Sequence, residues 1–287
     1  MKFKRVIARL DIKGPNLVKG IHLEGLRVLG KPEMYAEYYF NQGVDELIYS
    51  DVVASLYERN SILKTIKDTA KTISIPMTVG GGIRSLEDIR EILSAGADKV
   101  ALNTVVIKKP DFINEAARVF GSSTIVVAIE ATKEKNGNYL AYTDNGRQFT
   151  GVEVIKWAKE IEERGAGEIL LTSIDKEGTG EGLDIELISS ITNKVKIPVV
   201  AHGGAGSKLH VEQTFNETRC DGIAISSLLH YGSLEIMRKK DKQKKLLEGN
   251  KEFFLSNIKN FKSFKNENVR SLKNYLLNKN ISVRPPL

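Results

Sequence analysis

Two features of the chain predict a closed (β/α)8 barrel of the TIM class, built by duplication of a half-barrel. The first is a repeat at an offset of about 120 residues, in which Asp11 corresponds to Glu130, Glu46 to Glu168, and Gly81-Gly82 to Gly203-Gly204. That period is too long for solenoid units and indicates a doubled half-domain. The second is a succession of eight short apolar runs, each followed by a stretch of helical periodicity, the alternation that builds a parallel sheet wrapped by helices. In such a barrel the chemistry sits at the strand C-termini, where the carboxylates and glycine clusters of both halves fall.

The runs lie at 5–11, 43–51, 75–82 and 97–104 in the first half, and at 124–130, 165–173, 197–204 and 220–227 in the second. Their apolar centres are continuous, as expected for strands covered on both faces. After the first run, residues 13–32 read as a long loop rich in Gly and Lys, of the kind that closes over a substrate. After the third, Ser85 with Asp88 three residues on gives an N-terminal capping signal, and Ile89, Ile92 and Leu93 keep helical spacing behind it. After the eighth, the segment 238–266 interrupts the last strand–helix unit before a final helix over 269–276. Phe254, Ile258, Phe261 and Phe264 keep helical spacing among lysines there, which predicts an amphipathic helix packing its stripe on the barrel rim. The expectation is one domain over 1–287 with a basic insertion at 238–266.

With 287 residues, 41% apolar and 28% charged, the chain can bury one large core. Its net charge of +7 is local: 238–266 holds ten Lys/Arg against three Asp/Glu, which accounts for all of it. The basicity is therefore no argument for nucleic-acid binding by the barrel. The inserted lysines could meet an acidic or phosphorylated partner, or simply be solvated. The lone Cys220 excludes an internal disulfide and fits a reducing compartment. The N-terminus shows no basic-plus-apolar leader, and no apolar run approaches the roughly 18 residues of a membrane span. A cytoplasmic protein without a membrane partner is expected, and no cofactor or metal.

Gly81-Gly82 and Gly203-Gly204 end the third and seventh runs, where a backbone without Cβ can approach phosphate oxygens closely. Asn103-Thr104 and Ser226-Ser227 add donors beside each pair, at the starts of helices that favour anions. Two such cradles suit a ligand with a phosphate at each end. Asp11 and Glu130 end strands on opposite sides of the barrel mouth, as a general acid and a general base acting from two faces would. Alternatively, either could hold a lysine such as Lys19 or accept loop N–H bonds. At the other end, Arg5, Glu46, Lys99 and Glu168 each start a strand and alternate in sign, so they could close the bottom as a salt-bridged ring.

These residues carry a resemblance. Leu10-Asp11-Ile12-Lys13, Val18-Lys19-Gly20, Thr78 to Gly82, Gly96 to Val100, Gly165 to Asp175 and Gly203 to Gly206 resemble the cyclase subunit family of imidazole glycerol phosphate synthase, almost end to end. Only 238–266 has no counterpart there. The resemblance implies that a glutaminase docks at the barrel bottom near Asp98 and that ammonia passes a gate of Arg5, Glu46, Lys99 and Glu168. At the top, ammonia would attack a bis-phosphorylated ribonucleotide between two aspartates. It also implies a phosphate contact at Gly178. The sequence departs from the family pattern in Glu130 for the second Asp, Glu177 for an Asp, Arg9 for a Cys and His202 for a Ser. One extra methylene shifts a carboxylate by about 1.5 Å, and a misplacement of about 1 Å can cost roughly a hundredfold in rate. The stretch from Arg9 to Arg27 is more similar to paralogues of acetamidino-sugar pathways in surface glycans. On that likeness the chain is expected to conduct ammonia from its glutaminase to an ATP-using sugar amidotransferase docked at the top face. The alternative is the ammonia-dependent cyclase–lyase of histidine biosynthesis.

Overall fold

The computed structural model describes residues 3–52, 60–242 and 267–286. Eight parallel strands close on themselves: β1 (Arg5–Lys13), β4 (Glu46–Asp51), β5 (Met77–Gly80), β6 (Lys99–Leu102), β7 (Ile125–Lys133), β10 (Glu168–Ser173), β11 (Val199–His202) and β12 (Gly222–Ile225). Neighbours pair in that order, β12 pairs back with β1 through Arg5 and Gly222, and β7 meets β10 through Val126 and Glu168. The (β/α)8 barrel read from the sequence is the observed fold.

Helices α1 (Pro32–Asn41), α2 (Asn60–Ala70), α3 (Leu86–Ser94), α4 (Thr104–Lys108), α5 (Asp111–Phe120), α6 (Val154–Glu163), α7 (Ile185–Thr192), α8 (Lys208–Glu217), α9 (Ser227–Lys242) and α10 (Val269–Asn278) surround the strands. Ser85 and Asp88 form the expected reciprocal capping box on α3. Ser207, one repeat later, caps α8 on the His210 amide. No helix among the described residues is long and apolar enough to cross a membrane. The expected insertion lies outside the described residues from 243 to 266, and Phe254, Ile258, Phe261 and Phe264 with it.

One expectation is corrected. Residues 13–32 are not an irregular loop but a hairpin, β2 (Asn16–Ile21) and β3 (Glu24–Gly30), extending β1. The equivalent hairpin in the second half is β8 (Tyr139–Thr143) and β9 (Gln148–Glu153), extending β7. Each turns through two non-glycine residues with positive φ, His22-Leu23 and Asp144-Asn145. Two such residues suit the right-handed twist of a hairpin, but they disguise a turn whose usual mark is Asn-Gly or Asp-Gly at its centre.

The core has two layers. The larger lies between strands and helices; the smaller fills the barrel with Ile7, Ile48, Ala101, Val126, Leu170, Val200 and Ala224. Below this plug, aspartates preceding strands clamp the neighbouring strand. Asp45 accepts from the Val6 amide (2.8 Å), Asp98 from Met77 (2.8 Å) and Asp221 from Val199 (3.0 Å). Asp45 also binds Lys273 of α10, a fully buried lysine that donates to Asp45 Oδ1 and to the Gly43 carbonyl, both at 2.6 Å. Removing Lys273 leaves buried Asp45 with only the half-exposed Arg284, at 3.3 Å, as a counter-charge. Lys273→Met should therefore cost about 3 kcal/mol of stability, read as a lower urea midpoint at unchanged m-value. A loss below about 1 kcal/mol, the scale of an exposed pair, would mean that the pair does not lock α10 to the barrel.

Candidate active site

At the bottom, the four expected charges form a closed ring. Arg5 binds Glu46 at 2.8 Å and Glu168 through its other nitrogen, while Lys99 binds Glu46 at 3.2 Å and Glu168 at 2.9 Å. Cation and anion alternate, so each carboxylate has a partner on both sides. Burial opposes the Arg5 charge, but Glu168 and Glu46 outweigh it and hold the guanidinium firmly protonated. Asp98 lies exposed beside the ring and spends one oxygen on the Met77 clamp.

At the top, Asp11 is 2% exposed and accepts from Arg9 Nε at 3.0 Å, with Lys19 Nζ at 3.7 Å. Burial raises its pKa, but the charges of Arg9 and Lys19 outweigh burial and set it below the usual carboxylate range. Glu130 receives the Gly146 amide at 2.8 Å and the Asn103 side chain. Its burial, reinforced by the Asp11 charge, pushes its pKa up to about 7 in spite of Arg9 and those two bonds. Two carboxyl groups on opposite strands are thus tuned in opposite directions, the arrangement that separates a base from an acid.

The first hairpin is folded down over Asp11. Lys19, 1% exposed, is in salt bridge with Glu177, and Glu177 also accepts from the Leu23 amide at 2.9 Å while its carbonyl accepts from the His22 amide. The His22-Leu23 turn, costly for a residue such as Leu23, is held by these bonds. Its tip meets the other hairpin, where Asn145 Nδ2 donates to the Leu23 carbonyl at 3.2 Å. Glu177 and the Asn145–Gly146 turn are the residues that sequence reasoning did not assign to this closure. The Asp144-Asn145-Gly146 turn signal, between alternating residues, could have revealed the second hairpin.

A cavity of about 550 Å3 opens beside Glu130, lined among others by Arg9, Gly81, Gly82, Asn103, Thr104 and Thr172. The equivalent elements of the second half, Gly178, Gly203, Gly204, Ser226 and Ser227, enclose only about 10 Å3. Asp11 and Lys19 line neither. Both glycine pairs are needed sterically as well: Gly81 (φ +104°) and Gly203 (φ +100°) would drive a Cβ into the carbonyls of Asp51 and Ser173, at 2.3 and 2.6 Å. Ser226 turns inward, donating to the Arg9 carbonyl at 2.9 Å. Two of the departures from the family pattern, Arg9 and His202, touch at 3.1 Å.

Comparisons with known proteins give the chain's family. A model of the histidine biosynthesis protein family matches residues 5–235. The imidazole glycerol phosphate synthase subunit HisF of Legionella pneumophila is 57% identical over 202 residues, covering 70% of this chain and 95% of that protein. The HisF subunit of Lactococcus lactis subsp. cremoris (strain MG1363) is 44% identical over 237 residues, 82% and 92% of the two chains.

These relatives overturn the expectation of ammonia supply for sugar amidination: both are named as the synthase subunit. Neither relative supports the acetamidino-sugar likeness, the surface-glycan setting or the ATP-using partner at the top face. The extra methylene of Glu130 does not leave its carboxylate loose. The carboxylate is fixed by Gly146 and Asn103 inside the cavity. By family model and by relatives alike, the chain belongs to the histidine biosynthesis protein family, a family of enzymes that includes the HisF subunits of imidazole glycerol phosphate synthase.

Proposed function

We propose that the chain is an ammonia-dependent cyclase subunit of an imidazole glycerol phosphate synthase, working in the cytoplasm with a glutaminase at its barrel bottom. The oppositely tuned pair Asp11 and Glu130 carries the reading. Neutral ammonia attacking an electrophilic carbon acquires a positive charge and must lose a proton, while the acceptor atom must gain one. Asp11, ionised at neutral pH, is suited to take the first proton, and Glu130, still partly protonated, to supply the second.

The remaining residues take supporting roles. Gly81, Gly82, Asn103 and Thr104 bind one phosphate of a bis-phosphorylated ribonucleotide, and Gly178, Gly203, Gly204, Ser226 and Ser227 the other. The hairpin bearing Lys19 lifts to admit the ligand to Asp11, since Asp11 lines neither pocket. Arg5, Glu46, Lys99 and Glu168 gate ammonia from the bottom, and Asp98 belongs to the glutaminase dock. The apolar plug above the gate favours passage of neutral ammonia over ammonium, because a charge there would be unsolvated.

The test supplies ammonium salt and the bis-phosphorylated ribonucleotide to the purified chain, so that no glutaminase is needed. Turnover of about 1–10³ s⁻¹ is expected, and its absence from folded protein would end the cyclase reading. Glu130→Gln should lower the rate by roughly 10²–10⁴. Plotted against free ammonia, activity should be highest below the Glu130 pKa of about 7 and fall as pH rises through it, because the acid form is lost. It should fall again at acid pH, where Asp11 protonates. An alkaline limb unchanged in position in Glu130→Asp and Glu130→Gln would assign the acid elsewhere.

For the gate, Lys99→Ala opens the ring at one cation. With the glutaminase present, glutamine hydrolysis should continue while product per glutamine falls at least several-fold, and the ammonium-driven rate should hold. Full coupling in Lys99→Ala would exclude the ring as the gate.

A further inference from the structure

We propose that Arg9 is the positioning residue of this site: seated at the barrel throat on Thr172 and His202, it fixes the Asp11 carboxylate and leaves Glu130 as the member of the pair that carries the exchangeable proton. Its consequence for catalysis rests on the cyclase reading above; the seating of the guanidinium on Asp11, Thr172 and His202 does not.

Along the inward face of β1, Arg5, Ile7, Arg9 and Asp11 succeed one another at the two-residue period of a strand. Arg9 therefore stands directly above the apolar plug, where Ile7 contributes, and directly below Asp11. It is 3% exposed and lines the cavity. Its guanidinium is held as a fork: Nε donates to Asp11 at 3.0 Å, and Nη1 reaches Thr172 Oγ1 at 3.2 Å and His202 Nδ1 at 3.1 Å. Arginine has no acceptor, so His202 Nδ1 must accept and its proton must sit on Nε2. That nitrogen lies 3.4 Å from Ser226 Oγ, which donates in turn to the Arg9 carbonyl. The chain of bonds starts at the Arg9 side chain and returns to the Arg9 backbone, so the guanidinium has little freedom to leave Asp11.

The duplicated half provides an internal control. Asp11 pairs across its hairpin with Val18, and Glu130 pairs with Tyr142. Lys19 therefore corresponds to Thr143, and Arg9 to Ala128. One carboxylate has two cations built around it; the other has a hydroxyl and a methyl in their places.

The charges facing Arg9 come from every side. They are Asp11 on its own strand, Lys19 on β2, Glu130 on β7, Glu177 beyond β10, His202 on β11 and His230 on α9. Burial, helped by the Arg9 and Lys19 charges, keeps His202 neutral, and burial with Lys19 holds His230 at about 3. Two cations then face two anions, Asp11 and Glu177, and the cluster is neutral when Glu130 keeps its proton. Without Arg9 the same cluster carries an excess anion, which Asp11, stripped of its bonded partner, would neutralise first.

The test is a carboxyl-¹³C NMR titration of the full chain, with Asp11→Asn and Glu130→Gln used to assign the signals. In Arg9→Met both midpoints should rise, Asp11 by about one pH unit or more, a tenfold gain in proton affinity. Unmoved midpoints in folded Arg9→Met would overturn the proposal. Should that variant not fold, Arg9→Lys decides, because it keeps the charge and loses the fork. Asp11 should then titrate higher while Glu130 stays near wild type, and an unmoved Asp11 would overturn the positioning role. The pH limbs of ammonium-driven turnover should shift in the same direction, which mere loss of packing would not produce. A wild-type chain without turnover would refute the cyclase reading, and the titration would still decide the role of Arg9.

Discussion

A closed barrel offers little water to a charge on its axis, and this chain places charges on that axis at both ends. Burying an ion without a partner costs several kcal/mol, so the ionised axial groups arrive with counter-charges. At the bottom this produces a ring of four, with Arg5 and Lys99 each shared between Glu46 and Glu168. At the top it produces the Arg9, Asp11, Lys19 and Glu177 cluster, closed by the first hairpin. Between them lies the plug of Ile7, Ile48, Ala101, Val126, Leu170, Val200 and Ala224, which keeps the two ionic layers apart. The buried lysine on β2 is accommodated by its pairing with Asp11 and Glu177 in the upper layer.

The duplication explains which features come in pairs, and the ionic layers explain which do not. Hairpins, capping serines, the Asp98 and Asp221 clamps and the glycine pairs recur at the same offset, whereas the Asp45 clamp does not, because Gly167 stands at its place. Arg9 and Lys19 do not recur. Where the second half has Ala128 and Thr143, a cavity reaches down to Glu130; where the first half has two long cations, the space is filled and Asp11 is sealed. The asymmetry of the site is thus an asymmetry of side-chain volume and charge imposed on a symmetric backbone.

Much of this was legible in the residues themselves. Eight apolar runs with helical stretches between them specify a parallel sheet covered on both faces, and the half-chain repeat favours the closed barrel over an open doubly wound sheet. The bottom ring was legible because four strands begin with charges of alternating sign. The first hairpin was not: its turn uses His22-Leu23 in place of a central glycine, and Lys19 looks like a loop lysine until its burial is known. The Arg9–His202 contact joins residues 193 apart in sequence, and only the closed barrel brings β1 near β11.

Glu130 shows why a carboxylate's role cannot be judged by the length of its side chain. Counting methylenes compares Glu with Asp in an unchanged surrounding, and the count then favours a lost function. The surrounding is not unchanged. The second hairpin brings the Gly146 amide to the longer carboxylate, Asn103 reaches it from α4's N-cap position, and the absence of a cation at Ala128 leaves burial to dominate. A carboxyl so placed holds its proton to about neutrality, where a group must lie to give a proton up on demand. What the residue can do is set by which strand ends beside it and what that strand's partner half lacks, so the extra methylene has to be weighed together with the Gly146 and Asn103 bonds it reaches.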